Sequence, residues 1–233
     1  MGHYKAVVFD LDDTLFPERE FVRSGFAAVG AWMQAERGVA GFGAAAWRRF
    51  EAGERKRAFD EALAELEVAS EPGLVEQLVS IYRGHRPQIA LFPEAVEVLD
   101  TLRGRYRLGL ITDGYAATQR RKIAALEIEP LFAKIVVTDE LGREHWKPSR
   151  VPFLAVMEAL GCGGDECLYV GDNPTKDFVA PNELGWLTVR VRREGGEHAT
   201  VPVDQFPPAH RPQHTIDSLL RLPRILEREQ QGR

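Results

Sequence analysis

Short apolar runs that end in polar residues constrain the fold of this chain more than any other feature of its sequence. Continuous apolar runs of this length are typical of parallel strands that are buried on both faces. Four runs rich in valine, isoleucine and leucine have this form: residues 5–9 (KAVVF), 107–111 (RLGLI), 134–137 (KIVV) and 167–170 (CLYV). They predict the strands of a buried parallel sheet.

Helical segments alternate with these predicted strands. Apolar residues at helical spacing predict helices over residues 93–102, 118–126 and 151–160, and Pro93 suits the first position of a helix. Alternation of strand and helix is the pattern of an α/β fold with a doubly wound parallel sheet. We therefore predict a Rossmann-like α/β core.

The last part of the chain continues this pattern after a long loop. Residues 192–212 are rich in proline, glycine and histidine and show no period, so we predict a loop there. Residues 214–216 then predict a short last strand. Asp217 or Ser218 is expected to cap a terminal helix.

A helical insert separates the first predicted strand from the rest of the core. Its apolar residues recur at helical spacing, which predicts core packing rather than a cofactor site. These stripes are Val22, Phe26, Val29 and Met33, then Phe59, Leu63 and Leu66, then Val75, Leu78, Val79 and Tyr82. The predicted domains are an α/β catalytic core, residues 1–15 and 90–233, and an α-helical cap, residues 16–89.

Charge and cysteine content argue against several classes of function. A net charge of -5 and a sequence pI near 5.8 give no broad basic field, so no nucleic acid partner is expected. The N-terminal apolar run is too short for a signal peptide or a membrane span, which predicts a cytoplasmic protein with no membrane partner. Cys162 and Cys167 match neither a zinc site nor a disulfide framework and are interpreted as reduced thiols.

Two aspartates follow the first predicted strand. Because alternate residues of an extended chain point to the same side, Asp10 and Asp12 can face one substrate while Leu11 points into the core. Asp10 can attack phosphorus if a divalent cation stabilises its charge, and Asp12, crowded by other carboxylates, is expected to protonate the leaving oxygen. Taken alone, such an acidic turn is as often a polar loop or a helix cap.

Polar residues with complementary chemistry follow the next predicted strands. Thr112, Asp113 and Gly114 form a turn whose hydroxyl and backbone N–H groups can hold phosphoryl oxygens. Lys147 precedes a proline that helps to fix its direction, and its ammonium can offset the charge of a phosphorylated intermediate. Each feature in isolation also has an ordinary interpretation, as a capped turn or as a solvated surface lysine.

A second pair of carboxylates, Asp172 and Asp177, lies on a turn after the fourth predicted strand. Their hard oxygen atoms suit Mg2+, which binds a few carboxylates together with water and phosphate oxygens. The carboxyl ends of parallel strands open onto one crevice, so the four groups of residues are expected to meet there. Their conjunction, rather than any one of them, predicts phosphoryl transfer.

In order and spacing, these residues resemble the haloacid dehalogenase superfamily of phosphohydrolases, in the branch of phosphoglycolate phosphatases and nucleotidases that carry a helical cap. The matching positions are Asp10 to Thr14, Thr112, Lys147 and the turn from Asp172 to Asp177. The resemblance implies a Mg2+-dependent phosphatase that hydrolyses a small phosphorylated metabolite through an aspartyl-phosphate intermediate. It also implies that the cap closes over the crevice and selects the leaving group.

The resemblance further implies a role for each matching residue. Asp10 is expected to be the nucleophile, Asp12 the acid and base, and Asp177 the residue that orders Lys147 or a metal-bound water. The expected metal ligands are Asp10, Asp12 through its backbone carbonyl, and Asp172. The expected phosphoryl-binding residues are Thr112, Asp113, Gly114 and Lys147.

Three alternatives share parts of this pattern. A sugar phosphomutase of the same superfamily has nearly the same motifs and returns the phosphoryl group to its substrate rather than to water. A phospho-accepting signalling module also combines an acidic cluster, a hydroxyl and a lysine, but it needs neither Asp12 nor a large cap. A haloacid dehalogenase uses its nucleophile on carbon and dispenses with magnesium, whereas Asp12 and the intact turn at Asp172 favour phosphoryl chemistry.

The motifs do not specify the substrate. Sugar phosphates, nucleoside monophosphates and small phospho-acids such as phosphoglycolate are the candidates, and a monomer or a homodimer is expected. Basic residues of the cap offer contacts for a second anionic group, although a solvated helix face interleaved with Glu51 and Glu54 explains them better. These basic residues are Arg48, Arg49, Arg55, Lys56 and Arg57.

Overall fold

The computed structural model describes residues 3–231 of the chain. Residues 1, 2, 232 and 233, which the predicted core includes, lie outside the described residues. Within the described part, the chain forms two compact units, one of residues 3–18 with 90–231 and the other of residues 19–89.

A parallel sheet forms the centre of the first unit. Its strands are β1 (Ala6–Phe9), β2 (Arg107–Thr112), β3 (Lys134–Val137), β4 (Cys167–Gly171), β5 (Leu187–Val191) and β6 (His214–Ile216). Within the described residues the six strands lie in the order β3-β2-β1-β4-β5-β6, so the direction of winding reverses between β1 and β4. Phe9 at the end of β1 pairs with Leu110 on one side and with Val170 on the other. The predicted α/β fold with a doubly wound sheet is confirmed.

Helices cover both faces of this sheet. In the first unit they are α5 (Pro93–Arg103), α6 (Ala116–Ala125), α7 (Val151–Leu160), α8 (Val179–Glu183) and α9 (Leu222–Gln231). On one face, Phe153 and Val156 of α7 pack in one cluster with Val8 of β1 and with Trp186. In residues 3–231 no helix is both long enough and apolar enough to cross a bilayer.

Strand β5 is missing from the sequence prediction because Thr188 and Arg190 interrupt its apolar pattern. Both residues are nevertheless buried. The Arg190 guanidinium donates hydrogen bonds to the carbonyl oxygens of Asp172, His198 and Val201, which satisfies a charge that burial would otherwise penalise. A search for continuous apolar runs misses a strand whose buried polar side chains have such partners.

The end of the chain follows its prediction closely. Turns and one short 3-10 segment, Pro208–His210, occupy the predicted loop before β6. Of the two candidate caps, Ser218 accepts a hydrogen bond on its hydroxyl from the Leu220 N–H, at 3.3 Å. A single 3-10 turn, Leu219–Arg221, then leads into α9.

The second unit is helical and has its own aromatic core. Its helices are α1 (Glu18–Arg37), which begins in the first unit, α2 (Phe42–Glu51), α3 (Ala58–Glu65) and α4 (Leu74–Gly84). The ring of Phe59 lies 5.5 Å from that of Phe26 and stacks on that of Phe42 at 6.1 Å. Helix α2 was not predicted, because its buried face consists of Phe42 with two alanines, Ala45 and Ala46, which give little periodic signal.

Candidate active site

Three neighbouring strands place Asp10, Thr112 and Asp172 at one edge of the sheet. Strand β1 lies between β2 and β4; Asp10 follows β1, Thr112 ends β2 and Asp172 follows β4. The Asp10 N–H donates to the Val170 carbonyl at 2.8 Å, so the backbone pairing continues up to the aspartate. All three side chains are buried. Parallel packing thus brings residues that are far apart in sequence to one place.

Three carboxylates form a cluster at this edge. Oxygen atoms of Asp10, Asp172 and Asp177 all lie within 4.8 Å of one another. Burial raises the pKa of Asp10 to about 7 against the opposing charge of Lys147. Burial, together with the nearby Asp177, raises the pKa of Asp172 well above its ordinary value. Burial makes negative charge on these carboxylates unfavourable unless a cation lies nearby. Their hard oxygen atoms are also the ligands that a divalent cation such as Mg2+ prefers, so this set of residues fits a metal site.

Lys147 supplies the positive charge within this cluster. Its Nζ lies 2.7 Å from Asp10 Oδ1, 2.8 Å from Asp177 Oδ1 and 3.1 Å from the Tyr169 hydroxyl. Although burial opposes its charge, Asp10 and Asp177 raise the pKa of Lys147 well above its ordinary value. The ammonium therefore stays charged and fixes the orientation of both carboxylates.

The packing of Asp177 depends on a glycine. A Cβ atom at Gly171, the last residue of β4, would collide with the Asp177 carboxylate. Asp177 Oδ2 also accepts a hydrogen bond from the Asn173 N–H at 2.9 Å, which closes the turn. The turn thus holds Asp177 with its other oxygen, Oδ1, 2.8 Å from the Lys147 ammonium.

The Asp113 carboxylate is bound to other parts of the protein. Its Oδ1 accepts hydrogen bonds from the Thr138 hydroxyl at 2.8 Å and from the Lys147 N–H at 3.1 Å. Its Oδ2 lies 2.9 Å from the ammonium of Lys176, a residue of the turn after β4 to which the sequence assigned no role. Burial opposes its ionisation, but Lys147 and Lys176 hold the pKa of Asp113 below its usual range. The Asp113 side chain therefore links the turn after β2 to the segments that carry Thr138, Lys147 and Lys176.

Asp12 has two neighbours that the sequence did not suggest. The Lys122 ammonium lies 2.6 Å from its Oδ1, and the Gln119 amide nitrogen lies 2.9 Å from its Oδ2. A cation and an amide therefore contact this carboxylate, in addition to nearby carboxylates such as Glu18, which lies 3.8 Å from the same ammonium. Although burial opposes it, the charges of Asp12 and Glu18 raise the pKa of Lys122.

Helix α6 thus supplies two site residues that the sequence analysis missed. Gln119 and Lys122 are only 2% and 3% exposed, and they lie on the same side of α6 as the buried Ile123. Residues three and four positions apart share a face of a helix. One sequence signal could have identified them: Gln119 and Lys122 are long polar residues on the face of α6 that packs against the sheet.

Several basic residues of the cap are paired within that unit. Arg48 and Arg49 both form ion pairs with Glu65. Arg57 lies 3.2 Å from Glu61, one helical turn away. These contacts engage three of the five cations that the sequence offered as binding groups for a second substrate anion.

The raised pKa of Asp10 gives the metal-free protein a testable pH dependence. The pKa of an aspartate carboxyl is near 3.9 in the unfolded chain, and that of Asp10 is about 7 in the folded protein. At any pH between these two values, the folded state therefore binds more protons than the unfolded state. Its contribution to the free energy of unfolding is present below the unfolded pKa and falls as pH rises through the folded one. The change is at most about 1.4 kcal/mol for each pH unit.

The measurement compares wild type with Asp10→Asn by urea unfolding in a chelator. From about pH 5 to about pH 7.5, we expect the unfolding free energy of the wild type to fall relative to that of the variant. The variant removes this titration, and groups that do not interact with Asp10 titrate alike in both proteins, so their contributions cancel. A difference that stays flat across this range would contradict the assignment.

Comparisons with known proteins identify the family of this chain. The model of the haloacid dehalogenase-like hydrolase family matches residues 4–185. A glyceraldehyde 3-phosphate phosphatase of Methanopyrus kandleri is 31% identical over 198 residues, covering 81% of this chain and 84% of that protein. Another, of Methanocaldococcus jannaschii, is 28% identical and covers 96% of this chain and 97% of its own.

A solved structure adds a comparison of the fold. The 2-haloacid dehalogenase of Pseudomonas syringae superimposes with a TM-score of 0.66 at 24% identity, covering 97% of this chain and 99% of that one. At this level of identity, the likeness shows a common fold and does not extend to the reaction.

Proposed function

We propose that this chain, which belongs to the haloacid dehalogenase-like hydrolase family and is a phosphatase of a small phosphorylated metabolite, uses Asp10 as its nucleophile and Mg2+ as its metal ion. The observation that carries the proposal is the buried cluster of Asp10, Asp172 and Asp177 beside the Lys147 ammonium. Attack of a carboxylate on a phosphate brings two anions together, so it needs positive charge at the point of contact.

The metal ligands follow from the same cluster. Asp10 and Asp172 would contribute carboxylate oxygens, and Asp12 its backbone carbonyl. When bound, Mg2+ would screen the repulsion between Asp10 and the phosphate. Among the groups of the chain itself, Lys147 provides a second, permanent positive charge 2.7 Å from Asp10.

The first half of the reaction transfers the phosphoryl group to the protein. An oxygen of Asp10 forms a bond to phosphorus while the bond between phosphorus and the ester oxygen breaks. Lys147 and the Thr112 hydroxyl hold the phosphoryl oxygens during this exchange. Asp12 donates its proton to the departing oxygen, so the alcohol leaves uncharged and Asp12 becomes ionised.

The second half restores the protein. Asp12 accepts a proton from a water molecule as the water oxygen forms a bond to phosphorus. The bond between phosphorus and Asp10 breaks, which releases inorganic phosphate and regenerates the Asp10 carboxylate. One water is consumed for each ester hydrolysed.

For the substrate we propose a short-chain sugar phosphate of the glyceraldehyde 3-phosphate type. The support is similarity over 81% and 96% of the chain to two phosphatases named for that compound. The cytoplasmic location and the monomeric or homodimeric state expected from the sequence remain predictions.

The test is phosphate release by the purified protein. With Mg2+ we expect steady turnover of p-nitrophenyl phosphate, complete loss in excess chelator and recovery when Mg2+ is restored. Among metabolites, glyceraldehyde 3-phosphate should exceed phosphoglycolate, phosphoserine and nucleoside monophosphates in kcat/KM by about tenfold, which corresponds to ~1.4 kcal/mol of transition-state binding.

Two controls make this outcome decisive. Triose phosphates lose phosphate slowly without a catalyst, so each rate is read against a blank without protein and against Asp10→Asn. Turnover that survives the chelator would exclude the proposed metal. Formation of an isomeric sugar phosphate without free phosphate would identify a phosphomutase instead.

A further inference from the structure

The side-chain amide of Gln119 lies between two residues of the proposed mechanism. Its Nε2 is 2.9 Å from Asp12 Oδ2 and 2.5 Å from the Thr112 hydroxyl oxygen. A primary amide nitrogen carries two hydrogens, so one is available for each oxygen. The opposite orientation of the amide would set its oxygen against a carboxylate. Gln119 therefore connects the turn after β1 with the end of β2.

This contact determines the direction of the Thr112 hydroxyl. A hydroxyl oxygen that accepts a hydrogen bond from Gln119 keeps its own hydrogen for a different acceptor. Thr112 ends β2 beside Asp10, where the phosphoryl group of the substrate is expected. The amide thus prepares the hydroxyl to donate to a phosphoryl oxygen.

Gly114 leaves room for this amide. Its φ of 130° favours glycine. A Cβ atom there would also lie 3.2 Å from both the Cδ and the Oε1 atoms of Gln119. A larger residue would therefore press on the amide, so the glycine of the turn after β2 and the glutamine of α6 fit each other.

Lys122 holds the other oxygen of Asp12. Its Nζ lies 2.6 Å from Oδ1, whereas Gln119 contacts Oδ2. An ammonium alone leaves a carboxylate free to rotate about its contact, and a second donor on the other oxygen fixes the plane of the group. Gln119 supplies that second donor.

We propose that Gln119 is a positioning residue, which holds the Asp12 carboxyl group in line with the leaving oxygen and aims the Thr112 hydroxyl at the phosphoryl group. The inference rests on the proposed function, because it takes Asp12 as the proton donor. Positioning of a proton donor matters most for leaving groups that cannot depart as anions.

The test compares two substrates in the variant Gln119→Met, which has a similar length and no donor. The p-nitrophenolate ion leaves readily without a proton, whereas the alkoxide of glycerol 3-phosphate does not. The parameter is kcat/KM, because hydrolysis of the aspartyl phosphate comes after the leaving group has departed and does not enter it. We expect the loss with glycerol 3-phosphate to exceed the loss with p-nitrophenyl phosphate by about tenfold, a part of the roughly 100- to 10,000-fold typical of proton transfer.

The matched control is Arg121→Met on the same helix. Arg121 is exposed and donates only to the carbonyl of Ala117 among the contacts of the described residues, at 3.1 Å. This variant should keep wild-type kcat/KM with both esters. If Gln119→Met does not fold, as judged by thermal unfolding, the same comparison is made with Gln119→Asn, which keeps the amide but shortens its reach.

The outcomes separate this inference from the proposed function. A wild type that hydrolyses neither ester refutes the proposed function, and the inference with it. A wild type that hydrolyses both, with no loss in the Gln119 variant, overturns the positioning role alone, and equal losses with both esters overturn the positioning of Asp12. The expected result is an unequal loss at Gln119 and none at Arg121.

Discussion

Replacing Asp10 with asparagine is expected to lower phosphate release by roughly 10,000-fold or more, on the scale seen when other covalent mechanisms lose their nucleophile. The neutral amide does not attack phosphorus. Its oxygen can still accept the hydrogen bond from Lys147, whose Nζ lies 2.7 Å from Asp10 Oδ1. We therefore expect the fold to persist, which circular dichroism would show beside the steady-state assay with Mg2+.

The same substitution at Asp13 provides the control. Asp13 accepts hydrogen bonds from the N–H groups of Glu18 and Glu197, each at 2.9 Å, and its φ of 50° also suits asparagine. Asparagine has one acceptor oxygen, so Asp13→Asn keeps only one of these two hydrogen bonds, but it should retain most of the turnover because Asp13 has no part in the proposed mechanism. Acid quenching of the wild type with a radiolabelled ester should also trap phosphate on the protein, and Asp10→Asn should trap none. Turnover of Asp10→Asn within tenfold of the wild type would end the case for this nucleophile.

Replacing Lys147 with methionine is expected to destabilise the metal-free protein by about 3–5 kcal/mol, the usual cost of removing one partner from a buried ion pair. The Lys147 side chain is fully buried, and its ammonium contacts Asp10 and Asp177. Without it, the carboxylate cluster has lost its nearest positive charge. Urea unfolding in a chelator measures the change directly.

Bound Mg2+ should recover part of this stability, because a ligand that binds only the folded state stabilises it. Turnover should still fall by roughly 100- to 1,000-fold, since a donor aimed at the developing charge is lost. Lys176→Met is the matched control: its side chain is 32% exposed and its ammonium pairs with Asp113. Asp113 is buried, but water reaches the Lys176 ammonium and Lys147 still lies near Asp113, so the loss of stability should be smaller than that of Lys147→Met. Equal stability of Lys147→Met and wild type in chelator would contradict the assigned role.

The strand ends of the candidate site could be predicted from the sequence. A polar residue directly after a buried apolar run has to lie at the end of a strand, and parallel strands present these ends at one edge. Asp10, Thr112 and Asp172 meet both conditions, and the structure places them together. Local pattern was sufficient, because the hydrophobic run itself marks where each strand stops.

The neighbours of Asp12 could not be predicted in this way. The sequence suggested carboxylates, and the structure adds the ammonium of Lys122 and the amide of Gln119 at its two oxygens. Helical period shows which face of α6 is buried, but it does not show which residue that face meets. Strand β5 was missed for a related reason, because the polar Arg190 finds its carbonyl partners only after folding.

The sequence by itself thus determined the strands of the parallel sheet other than β5, and the identity of the acidic, hydroxyl and ammonium groups at its edge, since both depend on residues that are adjacent along the chain. The tertiary structure alone decided which charges are compensated and which side chains hold the reacting groups. Electrostatic and hydrogen-bond energies depend on distances of a few ångströms between distant segments. Such distances become defined only when helix α6 packs against the sheet.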